Sequence, residues 1–231
     1  MVLQKIKEGV ALHKRFLQSE RRFENAHWWE SLAVFQTNWD ISARDIAAMY
    51  DASLQNSESH RLWFAESHEP KRMMLRLMAM QPHFAEDMFR DLFNENRSVE
   101  GRADRFMFHC DELLAAFREA NPASVENSHY HGLEMVSLYL AFHYPEHYAL
   151  FDFDAFTHTL RYLEAKDVPQ VPDFARFVKS SKILFKFLSE DAELQKLHLA
   201  RLDPKRHYMP PSMLIVSEFC ALVARARPIL G

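Results

Sequence analysis

Apolar residues recur along this chain at helical spacing. Leu3, Ile6, Val10, Phe16, Phe23, Trp29, Leu32 and Phe35 follow one another with no proline between them. Residues 2–35 therefore read as one long helix or two joined ones. The charged His13, Lys14, Arg15, Arg21 and Arg22 fall mostly on its other face. Residues 37–40 read as a break, and Ser42 followed by Asp45 reads as a start resembling a capping box. Ile46, Met49, Tyr50 and Leu54 form the next stripe, and 55–59 a polar loop. Pro70 opens a helix through Met80, and Pro82 opens another through about Asn94, because proline at the first helical position gives up no hydrogen bond. After a break over 94–101, long helices are predicted from about Ala103 to Ala120 and from about His129 to His143, each stopping ahead of a proline. Asp152 is placed to cap a helix over 154–165. Residues 168–172 read as an extended linker, 173–188 and 191–201 as helices, 204–211 as a loop and 212–226 as the closing helix.

Composition supports the same picture. The chain has four glycines in 231 residues, too few for the tight turns of a strand-rich fold. Leu, Met, Phe, Ala, Glu, Lys and Arg dominate over β-branched residues, which favours helices. The expected architecture is all-α: a single multi-helix, bundle-like domain over 1–231, with lobes 1–95 and 102–231 about the break. A formal net charge of −4 builds in no general attraction for nucleic acid, so any DNA contact has to come from a local basic patch. No apolar run reaches about 18 residues, so no membrane span is expected, and the amphipathic N-terminus does not read as a signal peptide. Cys110 and Cys220 lack finger spacing and sit in apolar runs, so they read as small buried hydrophobes of a cytoplasmic protein.

The glycines, at positions 9, 101, 132 and 231, cannot form a P-loop or a dinucleotide fingerprint, and no GxSxG elbow is present. No cofactor is expected. Thirteen histidines are present, and His27, His83, His109, His131 and His143 each precede a glutamate by three residues. That spacing puts both side chains on one helix face, and helical di-iron bundles use related pairs in the opposite order. If a metal is held this way, His109, Glu112, His131 and Glu134 are the candidate ligands. The aromatic pairs HWWESL and RLWF read mainly as core, with Trp29 and Trp63 inside and Trp28 facing outward. Four basic clusters are visible: 5–22, 71–76, 97–105, and 201–207 with Arg225 and Arg227 behind it. Most read as solvated helix faces. The cluster at 97–105 flanks Gly101 near a helix start, where backbone amides and arginines together can hold an anion. The candidate binding residues are Lys71, Arg72, Arg97, Arg102 and Arg105.

Several linear blocks resemble the helical region ahead of the ATPase module in bacterial McrB-type restriction ATPases of the AAA class. They are KRMMLRL at 71–77, MFRDLFNEN at 88–96, EGRADRFMFHCDELL at 100–114, SLYLAFHYPEHY at 137–148 and FKFLSEDAEL at 185–194. The resemblance extends over roughly residues 28–224. It implies a helical accessory domain tied to restriction or defence, with target or DNA recognition as a common role of such regions. Without a Walker motif, nucleotide hydrolysis is not carried over. Three readings follow. The first is a non-catalytic module binding a protein partner (an ATPase or nuclease subunit) or DNA, the two ranked equally. The second is a metal-dependent helical-bundle enzyme using the His-x-x-Glu pairs. The third is a structural or regulatory homodimer paired through the N-terminal helix.

Overall fold

The computed structural model describes residues 1–55, 62–63 and 69–226. The expected loop at 56–59, and Arg61, Phe64, Arg227 and Gly231, lie outside the described residues. Those described are all-helical, without a strand. In chain order the α-helices are α1 (Leu3–Gln18), α2 (His27–Asn38), α3 (Ile46–Ser53), α4 (Pro70–Met80), α5 (Pro82–Leu92), α6 (Val99–Ala120), α7 (Leu133–His143), α8 (Phe153–Tyr162), α9 (Phe174–Glu190), α10 (Ala192–Ala200) and α11 (Leu214–Arg225), with a 3₁₀ turn at Glu20–Phe23. No helix among the described residues is long and apolar enough to cross a membrane.

The chain forms two compact units. One combines Met1–Glu30 with the described residues from Tyr144 onward, and the other is Ser31–His143. This corrects the expected lobes: the break near 95–102 lies inside the second unit, and the real division falls within α2 and just after α7. Sequence punctuation marked the loop at 94–98, but α5 and α6 on either side of it pack on each other.

In the first unit α1 turns Ile6, Val10, Phe16 and Leu17 inward against α10 and α11. Its apolar stripe is thereby used within the unit. Helix α11 is buried over Leu214–Cys220 and packs on α8, α1 and α9. Gly9 permits the approach of α1 to α11, since a Cβ there would lie 2.6 Å from the Phe219 ring. The ring of Trp29 is buried here.

In the second unit α7 is buried from Met135 through Phe142, the pattern of a helix enclosed on all sides. Phe89 and Phe106, from α5 and α6, both meet Tyr139 edge-on or tilted at 5.1 and 5.7 Å between ring centroids. Trp63 is buried as expected.

Helix boundaries follow their caps. The N-cap of α3 is Asp45, whose carboxylate accepts from the Ala48 N–H at 2.9 Å. Ser42, expected to take part, instead belongs to the preceding turn, its N–H bonded to Asp40. Helix α2 continues through Thr37 and Asn38, whose side chains bond back to the carbonyls of Ala33 and Val34. Helix α6 starts at Val99, four residues before the expected start, because Ser98 caps it by accepting from the Gly101 N–H at 3.3 Å. Helix α7 starts at Leu133, four residues after the expected start. Tyr130 just before it has a left-handed φ of 60°, which no helix accommodates.

Candidate functional site

The cations singled out from sequence lie in the second unit, and each has a partner there. Lys71 is mostly buried and pairs with Asp51 at 2.7 Å, which pulls the Asp51 carboxyl below its usual range. Arg72 and Arg76 share Glu126, at 3.6 and 2.7 Å. Arg97 and Arg105 share Asp91, Arg105 through Nε at 2.7 Å. Arg102 is 2% exposed, and its Nη1 donates to the Leu92 carbonyl at 2.7 Å. This corrects the expected patch in two respects. Arg102 is a core residue that ties the start of α6 to the end of α5, so it offers nothing to a phosphate. The Gly101 amide, expected to face an anion, is occupied by Ser98. What remains is two arginines around one aspartate and a second pair around one glutamate, each cluster keeping a single net positive charge.

The histidine pairs are also rearranged. His109 Nδ1 lies 2.8 Å from Glu112, with the ring edge-on to Phe84 at 5.2 Å. His131 is 1% exposed, whereas Glu134 is exposed. The quartet His109, Glu112, His131 and Glu134 therefore does not form a site. The reason is local: the i,i+3 rule assumed a helix through His131, and α7 begins two residues later.

A different group converges instead. Donor atoms of Cys110 on α6 and of His129 and His131 ahead of α7 all lie within 4.8 Å of one another, the one such cluster of His, Cys, Asp and Glu among the described residues. His131 Nδ1 faces the His129 carbonyl and must carry the proton there. Its Nε2, 2.9 Å from Tyr139 Oη, is then the acceptor. Tyr139 in turn accepts from Tyr50 at 2.6 Å. Tyr50, Tyr139 and His131 thus form a directed, fully buried hydrogen-bond chain from α3 through α7. His129 Nδ1 accepts the His131 backbone N–H at 3.0 Å, which leaves Nε2–H facing Asp111 at 3.2 Å.

Burial sets the protonation states. It pushes the His131 imidazole down to about 3, against the opposing pull of the His129 carbonyl. It lowers His129 as well, with Asp111 opposing. It also raises the Cys110 thiol and both phenols far above their ordinary values. Cys110 is free and buried as expected, but its neighbourhood was not foreseen. The legible signal was the HYH run at 129–131; the 18-residue gap to Cys110 hid the rest.

The first unit holds a second buried polar cluster. Glu218 on α11 is fully buried and receives both guanidinium nitrogens of Arg201, at 2.8 and 2.7 Å. His13 of α1 bonds Oε2, the oxygen that Arg201 Nη2 also reaches, at 2.8 Å. Arg201 also donates to the Arg22 carbonyl at 2.6 Å, meets His198 Nδ1 at 3.2 Å and lies 4.9 Å over the Trp29 ring. Burial alone would raise the Glu218 carboxyl; Arg201 and His13 overcome it and hold it down to about 2. Burial takes His198 down to about 3, helped by Arg201. His198, Gln195, Met209, Pro210, Ser212 and Ile215 border a cavity of about 170 Å³. Arg201, first met as part of a basic cluster, is thus a core residue. Its neighbours Arg206 and Arg225 pair with Glu30 and Glu24.

The outer face of α6 carries Phe108, 58% exposed. Asp104, Asp111 and Glu112 stand at i−4, i+3 and i+4 from it and are exposed as well, while Arg105 at i−3 is paired with Asp91, so this face is acidic on balance. Compared with known proteins, the chain matches no family model, no curated protein and no solved structure.

Proposed function

We propose that this chain is a non-catalytic helical accessory module that docks on a protein partner through the outer face of α6. The observation that carries the reading is Phe108, a large aromatic left 58% exposed among Asp104, Asp111 and Glu112. Exposed aromatics anchor protein interfaces, and three carboxylates around this one repel a phosphate backbone. The complementary surface is an apolar socket rimmed by lysine or arginine. Lys71 is matched one to one by Asp51, and each arginine pair is offset in part by its shared carboxylate, so neither cluster forms the broad positive field that duplex binding draws on. The resemblance to the region ahead of McrB-type ATPases makes a restriction ATPase or its nuclease subunit the partner to try first.

The test is co-expression with the ATPase subunit of a McrB-type system, followed by size-exclusion chromatography. Co-elution is expected, and Phe108→Ser weakens it about ten-fold or more with an unchanged circular dichroism spectrum. Co-elution indifferent to Phe108→Ser would remove this face as the docking surface. Binding to a short duplex, unmodified or cytosine-methylated, that persists at physiological salt would replace the protein partner with DNA.

A further inference from the structure

We propose that Cys110, His129 and His131 form a binding site for zinc or a related borderline-soft transition-metal ion, fastening the segment ahead of α7 to the middle of α6. The donor set is the first argument. One thiol and two imidazoles suit zinc and exclude magnesium and calcium, which require oxygen ligands. Around a tetrahedral zinc such donors stand about 3.3–3.7 Å apart. Here one donor atom from each of the three residues lies within 4.8 Å of the others, so the side chains are near enough for inward movement and ring adjustment to complete the arrangement.

The second argument is the orientation of the two rings. A metal-ligating histidine donates its remote N–H to a carboxylate or a backbone carbonyl, which fixes the tautomer and aims the other nitrogen at the metal. Both histidines have this arrangement. His131 Nδ1–H is held by the His129 carbonyl, and His129 Nε2–H is held by Asp111. The nitrogens left with lone pairs are His131 Nε2 and His129 Nδ1. Each now accepts one neutral hydrogen bond, from Tyr139 and from the His131 amide respectively, and these two bonds are exchanged for coordinate bonds when a metal enters. The third argument is the backbone. Tyr130, between the two histidines, is held left-handed at φ 60°, a conformation that persists in a bulky residue only where its surroundings impose it.

The binding step balances as follows. The Cys110 S–H bond breaks, its proton leaves to solvent, and Zn²⁺ accepts the thiolate and two neutral imidazole lone pairs. One proton is released per ion, and a fourth position remains for an oxygen ligand. The site does not depend on the docking role of α6.

The experiment uses untagged full-length protein, stripped with chelator and titrated with Co²⁺ as the spectroscopic stand-in. A thiolate-to-cobalt charge-transfer band is expected, saturating at one ion per chain, bleached by Zn²⁺ and lost in Cys110→Ser. Cobalt uptake without that band would mean surface histidines only, and would overturn the site. Because Cys110 is buried and its variant risks misfolding, Asp111→Asn provides an independent reading. The Asp111 side chain is 72% exposed, so the fold is retained while zinc affinity falls about 10–100-fold. Equal affinity in the wild type and Asp111→Asn would overturn the arrangement. Calorimetry in buffers of different ionisation enthalpy should show one proton released per zinc, and none would exclude the thiolate.

Discussion

Glu218 is a carboxylate in the middle of an apolar helix, and its neighbours explain how it can be there. Both of its oxygens are taken, one by Arg201 alone and the other by Arg201 and His13 together. A buried ion pair adds little net stability over an apolar replacement of the whole group, but breaking it from one side strands the remaining charge. Glu218→Gln is therefore expected to destabilise the protein by about 3–5 kcal/mol, read as a drop in the guanidinium midpoint at unchanged m-value. A loss below about 1 kcal/mol would mean that water already solvates this cluster. Gly9→Ala tests close packing in the same unit. The new methyl meets Phe219 Cζ at 2.6 Å and Cε2 at 2.8 Å, and overpacking of this kind costs about 1–3 kcal/mol. Were Gly9 merely a tolerated helix residue, alanine would instead stabilise α1 by about 1 kcal/mol, so the sign of the change decides.

At the scale of elements, the caps define the helices. Ser98, Asp45, Asp152, Asp173 and Asp191 each accept a backbone N–H at the start of a helix. Asp191 also holds Lys14 at 2.9 Å, so it joins α10 to α1 as well as starting it. Ser98→Ala is expected to cost about 1 kcal/mol, and Asp191→Ala more than that because a second contact goes with the cap; thermal melts that rank them the other way would contradict the assigned contacts. Most of this was legible in the sequence. The prolines at 70 and 82 and the aspartate at 152 name their helices directly, since each acts through its own backbone. The errors occurred where a residue's local preference was outweighed. Gly101 reads as a breaker, yet it sits in the first turn of α6 under the Ser98 cap. His129 and His131 look like the start of α7, yet Tyr130 turns left-handed between them. The candidate site suffered most from this. The i,i+3 rule sees only partners on one helix, and Cys110, His129, His131, Tyr139 and Tyr50 meet through tertiary packing. The arginines failed for a related reason: Asp91 and Glu126 that pair with them sit in other segments, and Arg102, although four residues before Phe106 and so in phase with the buried stripe of α6, carries a charge that reads as surface.

For the whole molecule, buried neutral imidazoles set the response to acid, and each unit has its own. In the first, His198 is lowered to about 3 by burial, with Arg201 and His13 adding to the effect and Glu218 opposing it. In the second, His143 lies stacked 3.9 Å from Phe93 and is lowered to about 4 by burial, with Glu95 opposing. His131 is displaced in the same direction. Between these values and the ordinary 6.5 of a free imidazole, the unfolded chain binds protons that the folded chain refuses. Stability is therefore fully present above about pH 6.5 and falls as pH drops toward 4 and then 3. Glu218 acts later, since its contribution is complete above its ordinary 4.5 and is lost only as pH falls toward 2. The guanidinium midpoint should accordingly be level from pH 8 to 7 and decline steadily between pH 6.5 and 4.5, before any carboxylate of the buried cluster titrates. His198→Gln should start from a lower midpoint but decline less steeply over the same interval, because one proton-refusing site has gone. A wild-type midpoint that stays level down to pH 4.5 would show that these rings are reached by solvent and protonated in place.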